Sequence, residues 1–143
     1  MTLVHPLRPD EPLADLVEAF VESRRAGHRF LVDGLDELDR TLDVRPGLVD
    51  RIGNPTPAHH ALAVLNPTLH GPVDITREAD RYTVHRAGRR FVIDLRRTDE
   101  PPPRDAPAEV VDLADAMTCR PEECSGPWLE WSSDRHRGVR PRC

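Results

Sequence analysis

Apolar side chains recur at helical spacing near the beginning of the chain. Residues 11–26 place an apolar side chain on one face at every third or fourth position, as an amphipathic helix does. The members of this stripe are Leu13, Leu16, Val17, Phe20 and Val21. Asp10 can cap the helix, Pro12 suits its first turn, and Gly27 can end it.

Shorter patterns follow in the next part of the chain. Residues 28–32 predict a short buried strand, and residues 34–42 predict a second helix with Asp33 as its cap. A third helical piece is predicted at residues 46–52. Residues 58–65 fit either a helix or a buried strand, because a short apolar run does not discriminate between the two.

The apolar period changes from helical to alternating in residues 73–95. The alternating positions are Val73 and Ile75, then Tyr82 and Val84, then Phe91, Ile93 and Leu95. With turns at residues 78–80 and 87–88, this pattern predicts a three-stranded antiparallel meander. We therefore expect an α+β fold, in which N-terminal helices pack on a small antiparallel β-meander.

A cluster of prolines predicts a boundary after the meander. These prolines are Pro101, Pro102, Pro103 and Pro107. The predicted organisation is an N-terminal extension at 1–9, an α+β domain at 10–97, a Pro-rich linker at 98–107 and a C-terminal part at 108–143. The last part is expected to be a short helix followed by a flexible tail. The helix rests on the spacing of Val110, Leu113, Ala114 and Met117.

Composition limits the size of the core and suggests a source. Only 38% of the residues are hydrophobic and 4% aromatic, so part of the chain is expected to lie outside a packed core. The chain contains 20 basic residues, and all of them are Arg. Arg has GC-rich codons and Lys does not, which favours a GC-rich bacterial genome over selection for guanidinium contacts.

Charge and hydropathy narrow the classes of partner. Six arginines lie in residues 81–97, but they fall at both parities along the strands and the net charge is −5. A nucleic-acid interface is therefore not favoured. No apolar run approaches membrane-spanning length, and the N-terminus does not resemble an export signal. We expect a cytoplasmic protein with reduced thiols, and its oligomeric state stays open.

The tryptophans suggest a way to bind a protein partner. Trp128 and Trp131, with Leu129 between them, would share one face of a helical turn. An aromatic anchor of this kind can dock into a groove of a partner. The basic residues that would steer a charged partner are Arg135, Arg137 and Arg140. The alternative is that both rings fold back onto the sheet of the chain itself.

The three cysteines raise a question of metal binding or modification. Cys119 and Cys124 form a C-x4-C pair, and His136 and Cys143 could complete a Cys3His zinc site. One alternative is free thiols. Another is a precursor-like substrate protein whose Cys-containing tail is modified by an enzyme, as in ribosomally made peptide natural products.

Enzyme signatures are missing from the sequence. No G-x-S-x-G, H-E-x-x-H or Gly-rich phosphate loop occurs. Residues 30–38 resemble the Walker B stretch of NACHT-type NTPases, but the chain has no Lys for a Walker A loop. We therefore expect a small non-catalytic binding, adaptor or regulatory protein without a cofactor, apart from the zinc alternative.

Overall fold

The structure is a computed structural model of the 143-residue chain. The residues that it describes are 2–6, 11–33, 39–40, 43–44, 56–97, 101–102, 107–124 and 126–133.

The structure describes two α-helices, one at the predicted N-terminal stripe and one at the segment that fitted either a helix or a strand. Helix α1 spans Leu13–Arg25 and follows Pro12 at its N-cap. Helix α2 spans Pro57–Thr68, so the ambiguous segment at residues 58–65 is a helix. Thr56 occupies the N-cap of α2 and Pro57 its first turn, where a missing backbone N–H costs nothing. Neither helix described is long and apolar enough to cross a membrane.

A small parallel sheet joins the N-terminus to the end of α1. Strand β1, Thr2–Pro6, pairs in parallel with β2, Arg29–Asp33. Strand β2 confirms a strand at residues 28–32, but Leu31 is 54% exposed, so the strand is not buried as predicted. Strand β1 lies in the segment predicted as an extension. The chain passes from α1 to β2 through Gly27, whose φ of 76° is the left-handed conformation that glycine adopts most readily.

The principal sheet has six antiparallel strands, which follow the two short strands β3 (Asp39–Arg40) and β4 (Asp43–Val44) along the chain. Their bounds are Asp74–Glu78 for β5, Arg81–Arg86 for β6, Arg89–Asp94 for β7, Val110–Asp112 for β8, Met117–Cys119 for β9 and Trp128–Ser133 for β10. The order across the sheet is β5-β6-β7-β10-β8-β9. Strands β5 to β7 are the predicted meander. The α+β prediction, with N-terminal helices on an antiparallel meander, is confirmed.

The C-terminal part of the chain extends this sheet. Strand β10 pairs with β7 along its length and with β8 at Trp128 and Leu129. Residues 110–133 therefore contribute strands to the same sheet as the meander, although they lie beyond the predicted Pro-rich linker at 98–107. Residues 134–143 lie outside the described residues.

The helix predicted at residues 108–117 is wrong. Strands β8 and β9 form a hairpin there, with a tight turn between them. The carboxylate of Asp112 accepts a hydrogen bond from the Ala114 N–H at 2.9 Å, and that of Asp115 accepts one from the Met117 N–H at 2.9 Å. Such side-chain acceptors compete with helical hydrogen bonding. Ala116 also takes a φ of 60°, which ends any right-handed turn.

The second predicted helix, at residues 34–42, is wrong where the structure describes it. Asp39–Arg40 forms β3, which pairs antiparallel with β4, Asp43–Val44. The other residues of that prediction, and the helical piece predicted at 46–52, lie outside the described residues.

The main core lies between the two helices and one face of the principal sheet, here called the helix side. Tyr82, Ile93 and Leu129 are direct neighbours across β6, β7 and β10, so their side chains point to this face. Buried partners from both helices, from β6 and from residues that directly follow α2, β7 and β8 complete the cluster: Ala14, Val17, Phe20, Val21, Ala61, Leu65, Leu69, Val84, Leu95 and Leu113.

Ion pairs fasten α1 to the edge of the sheet. Arg97 donates to Asp15 at 2.6 Å and to Glu18 at 2.7 Å, while Arg77 donates to Glu18 at 2.7 Å and to Glu22 at 2.9 Å. The hydrogen bond from Arg97 lowers the pKa of Glu18 below its usual value, and the contact with Arg77 adds to the effect. These pairs therefore stabilise the ionised carboxylate in the folded state.

Candidate metal centre

The other face of the principal sheet, here called the thiol side, carries the residues of the candidate site. Trp128 lies opposite Asp94 of β7 on one side and opposite Asp112 of β8 on the other. Cys119 of β9 lies opposite Val110 of β8. Because side chains alternate along a strand, Trp128, Asp112 and Cys119 all face away from the helices.

A short turn folds a second thiol back onto this face. After β9 the chain makes a single 3-10 turn at Pro121–Glu123, and the Cys124 N–H donates to the Pro121 carbonyl at 3.2 Å. The Cys124 side chain is only 7% exposed. It packs with Val110 and Trp128, and Cys119 is partly buried against the same cluster. The C-x4-C spacing thus returns the second cysteine to the first.

Three potential metal ligands converge there. One carboxylate oxygen of Asp112 and the Sγ atoms of Cys119 and Cys124 all lie within 4.8 Å of one another. The Asp112 carboxylate is oriented by the hydrogen bond that it accepts from Ala114. The Cys124 Sγ lies 3.6 Å from the Gly126 carbonyl oxygen, to which its thiol donates. Local backbone contacts therefore hold two of the three ligands in place.

Burial and negative charge keep both thiols protonated. Burial raises the pKa of Cys124 to about 12, and the nearby Asp112 carboxylate adds to the shift. Burial also raises the pKa of Cys119, with smaller contributions from Asp112, Asp115 and Glu123. Reactive cysteines typically have a lowered pKa, and both shifts here are in the opposite direction. A cation that displaces the protons would remove the unfavourable charge among these groups.

The buried Trp128 ring packs in the same cluster as the two thiols. The ring is 0% exposed, and its Nε1–H donates to Glu130 at 3.0 Å. The Arg96 guanidinium lies 4.7 Å from the ring centroid, in the range of a cation–π interaction. Arg81 bridges Glu130 at 3.1 Å and Asp94 at 3.4 Å. The polar tip of the indole is therefore satisfied inside the fold.

The structure separates the three residues of the predicted aromatic anchor. Trp128 and Leu129 are buried, and they lie in a strand rather than in a helical turn. Trp128 faces the thiol side, whereas Leu129 belongs to the core of the helix side. Trp131 is 53% exposed and is the one member of the anchor left at the surface. The steering residues Arg135, Arg137 and Arg140 lie outside the described residues.

The predicted zinc ligands are partly brought together. Cys119 and Cys124 meet as the spacing suggested, while His136 and Cys143 lie outside the described residues. Asp112 was missed because a helix was predicted around it. Two signals in the sequence indicate a hairpin instead, namely the adjacent β-branched residues Val110 and Val111 and the turn-forming acids Asp112 and Asp115.

Comparisons with known proteins do not assign the chain to a family. No family model, curated protein or solved structure matches it.

Proposed function

We propose that this protein is a small non-catalytic metal-binding protein, in which Asp112, Cys119 and Cys124 hold one thiophilic divalent cation. The observation that carries the proposal is the convergence of the three ligand atoms within 4.8 Å. Thiolate ligands select zinc and other soft or borderline metals, and carboxylate oxygen is a common additional ligand of zinc. Zinc is the cation that this ligand set favours.

The spacing of the ligand atoms suits a tetrahedral ion. With Zn–S bonds of about 2.3 Å, two sulfur ligands of one zinc lie about 3.8 Å apart. The observed limit of 4.8 Å therefore requires a contraction of at most about 1 Å, which side-chain rotation can supply. Three protein ligands leave a fourth position for water or for another side chain, and His136 and Cys143 remain the candidates that the sequence suggests.

The cation would have a structural role. It would join β8, β9 and the 3-10 turn at one point and close them over Trp128, on the face of the sheet opposite α1 and α2. Binding energy at such a site contributes directly to folding. The proposal also requires reduced thiols, as expected for the cytoplasmic location that the sequence suggests.

Metal analysis of the full chain tests the proposal. Protein purified under reducing conditions and dialysed against limiting zinc should retain one zinc per chain. Cys119→Ser and Cys124→Ser should each lose it, and Asp112→Asn should bind it roughly 10- to 100-fold more weakly. Glu122→Gln is the matched control, since this exposed acid lies in the 3-10 turn outside the ligand group. It should bind zinc as the wild type does.

Two results would overturn the proposal. The first is the absence of stoichiometric zinc in reduced wild-type protein. The second is zinc that both serine variants retain in full. His136→Ala and Cys143→Ser, measured in the same way, determine whether the ligand set predicted from the sequence contributes the fourth position.

A second candidate function is the docking of a protein partner, and the exposure of Trp131 favours it. This ring is 53% exposed in β10, beyond the point at which β8 stops pairing with that strand. Exposed Trp side chains are enriched among residues that dominate interfaces. Trp131→Ala should then abolish partner binding and leave the zinc content unchanged, and full retention of binding would exclude Trp131 as the anchor.

The precursor-substrate alternative rests on the same cysteines. Cys124 is buried against Trp128, so a modifying enzyme would have to open the 3-10 turn to reach it. The intact mass of protein from its native host tests this alternative, because an unmodified mass would exclude it.

A further inference from the structure

Met117 is a large apolar residue that the structure leaves at the surface. It begins β9, which forms one edge of the principal sheet, and it is 66% exposed. Methionine is rare in this chain, where it occurs at positions 1 and 117. The Met side chain is flexible and ends in a polarisable thioether. Because Met117 is not packed in a core, this thioether can turn toward neighbouring groups.

The register of the β8–β9 hairpin places Met117 next to the candidate metal centre. Met117 lies directly opposite Asp112 of β8, and Cys119 follows it two residues later in the same strand. Side chains two residues apart along a strand lie on one face of the sheet, as do those directly opposite each other. Since Cys119 packs in the cluster of the thiol side, Met117 shares that side with both potential ligands.

The thioether of Met117 has the reach to meet the two thiols. The Cβ atoms of directly opposite residues lie about 4.5 to 5.5 Å apart, and the long unbranched Met side chain adapts its shape by rotation. An oxygen of Asp112 already lies within 4.8 Å of the Sγ atoms of Cys119 and Cys124. A longer side chain from the opposite position therefore covers the same space, and its exposure allows it to move there without breaking packing contacts.

A third sulfur ligand selects a different cation from the zinc that the Asp112 carboxylate favours. Thiolate and thioether are soft ligands that suit Cu(I), whereas carboxylate oxygen suits harder cations. Two neighbouring strands therefore offer alternative partners to the same pair of thiols. One is an oxygen of Asp112 on β8, and the other is the sulfur of Met117 on β9.

The balance of charge supports the same division. A divalent ion held by two thiolates and the Asp112 carboxylate leaves one net negative charge. A monovalent copper ion with the same ligands would leave two, close to Asp115 and Glu123, which already repel a negative charge on Cys119. The thioether of Met117 is neutral, so Cu(I) with this ligand and two thiolates leaves one. Met117 is thus the better third ligand for Cu(I), and Asp112 for zinc.

We propose that Met117 is the third ligand of a trigonal Cu(I) site, in which its thioether joins the thiolates of Cys119 and Cys124. This inference rests on the proposed metal-binding function, because it uses the same two thiols. Asp112 is then a ligand of zinc alone, and the third ligand depends on which ion is bound. The reducing conditions that keep the thiols available also keep copper monovalent.

Competition with a chromophoric Cu(I) chelator measures the role of Met117. The reduced full chain is titrated anaerobically against the Cu(I) complex of bathocuproine disulfonate, whose absorbance falls as the protein takes up the ion. Removal of a group that only orients a metal ligand costs about 10- to 100-fold in affinity. Met117→Leu removes a direct ligand and keeps the apolar volume, so it should weaken Cu(I) binding at least about tenfold. Its zinc affinity should stay within about twofold of that of the wild type.

Two further variants separate the roles of the neighbouring side chains. Asp112→Asn should weaken zinc binding but change the Cu(I) affinity by less than about threefold, because an oxygen is a poor ligand for a soft ion. Thr118→Val is the matched control, since this exposed residue lies between Met117 and Cys119 and points to the opposite face of β9. It should bind both ions as the wild type does. X-ray absorption at the copper edge should show three sulfur neighbours in the wild type and two in Met117→Leu.

Four outcomes would overturn the inference. They are a wild type that takes up zinc but no Cu(I), a Met117→Leu variant that binds Cu(I) as tightly as the wild type, an equal loss of zinc and Cu(I) affinity in that variant, and wild-type copper with only two sulfur neighbours. In each case zinc bound by Cys119 and Cys124 would leave the proposed metal-binding function standing. A reduced wild type that takes up neither ion would contradict both proposals.

Discussion

The two sides of the principal sheet are closed in different ways. On the helix side, two helices bury a continuous cluster of apolar side chains, including Tyr82, Ile93 and Leu129. On the thiol side, the buried cluster among the described residues consists of Val110, Cys124 and Trp128, with Cys119 packed against it. Apolar burial is therefore plentiful on one side and scarce on the other.

The small amount of apolar burial explains why polar contacts and thiols occupy the thiol side. A small cluster supplies little hydrophobic stabilisation, at roughly 25 cal/mol for each Å² removed from water. Polar cross-links supplement it, namely the Arg81 ion pairs and the Arg96 contact with Trp128. The proposed cation between Cys119 and Cys124 would add the strongest link of this kind. The helix side, with its larger apolar cluster, needs no such cross-link.

Removal of the Trp128 ring should have the largest effect. Trp128→Ala deletes the centre of the small cluster and should destabilise the protein by about 3 to 5 kcal/mol. It should also abolish the stabilisation by zinc, because the thiols lose the surface on which they pack. Denaturant unfolding with zinc or with a chelator measures both effects. Trp131→Ala, at the exposed ring, should cost less than about 0.5 kcal/mol, and an equal loss in the two variants would contradict the comparison.

A core substitution on the helix side should separate stability from metal binding. Leu65→Ala opens a cavity among the helices and should cost about 2 to 5 kcal/mol. Zinc at about 100 times its dissociation constant should still add about 2.7 kcal/mol, because the ligands lie on the other side of the sheet. The same denaturation series tests this, and an increment from zinc that disappears in Leu65→Ala would show that the two sides are not independent.

Zinc affinity should depend steeply on pH. Burial holds the pKa of Cys124 at about 12 and raises that of Cys119, so both thiols are protonated in the metal-free protein near neutral pH. Binding then releases about two protons, and affinity should rise about 100-fold for each pH unit between about pH 6 and 8. Competition titrations with a chromophoric chelator measure this slope, and an affinity independent of pH would exclude thiolate ligands.

The ion pairs of α1 should produce a smaller effect at acid pH. Since Arg97 and Arg77 lower the pKa of Glu18 from its ordinary 4.5, the stabilisation is present above that value. It is lost as the pH falls through the lower pKa of the folded state. Glu18→Gln should remove at most about 1 kcal/mol and flatten the dependence of stability on pH below 4.5. Urea unfolding across this range checks the prediction, and an unchanged slope would contradict it.

The parts of the fold set by local pattern could be read from the sequence. Helix α1 followed from its apolar stripe, and β5 to β7 followed from alternation, because each has one face in the main core. At residues 108–117 the hydrophobic pattern led to a wrong prediction of a helix, because Val110, Leu113 and Met117 are spaced as they would be on one helical face. Hydrogen bonds to Asp112 and Asp115 form a turn there instead. Pattern alone does not weigh such local acceptors against a helix.

Elements that depend on distant partners were not predicted. Strand β10 inserts between β7 and β8, and it takes Trp128 and Leu129 to opposite sides of the sheet. Strand β1 exists through its pairing with β2 across the whole of α1. The candidate site shares this limit: the C-x4-C spacing pointed to the two thiols, but the carboxylate of Asp112 joins them only once the hairpin is known.

X-ray absorption at the zinc edge tests the central claim most directly. The sample is the reduced full chain loaded with one equivalent of zinc, and the measurement gives the identity and distance of the ligand atoms. We predict a sulfur shell at about 2.3 Å that contains the two cysteine ligands, together with oxygen at about 2.0 to 2.2 Å from Asp112. Cys124→Ser, which should lose the zinc, is expected to show no sulfur-coordinated zinc under the same conditions. Zinc bound without sulfur, or a sulfur shell that Cys124→Ser leaves unchanged, would contradict the proposed closure of the thiol side.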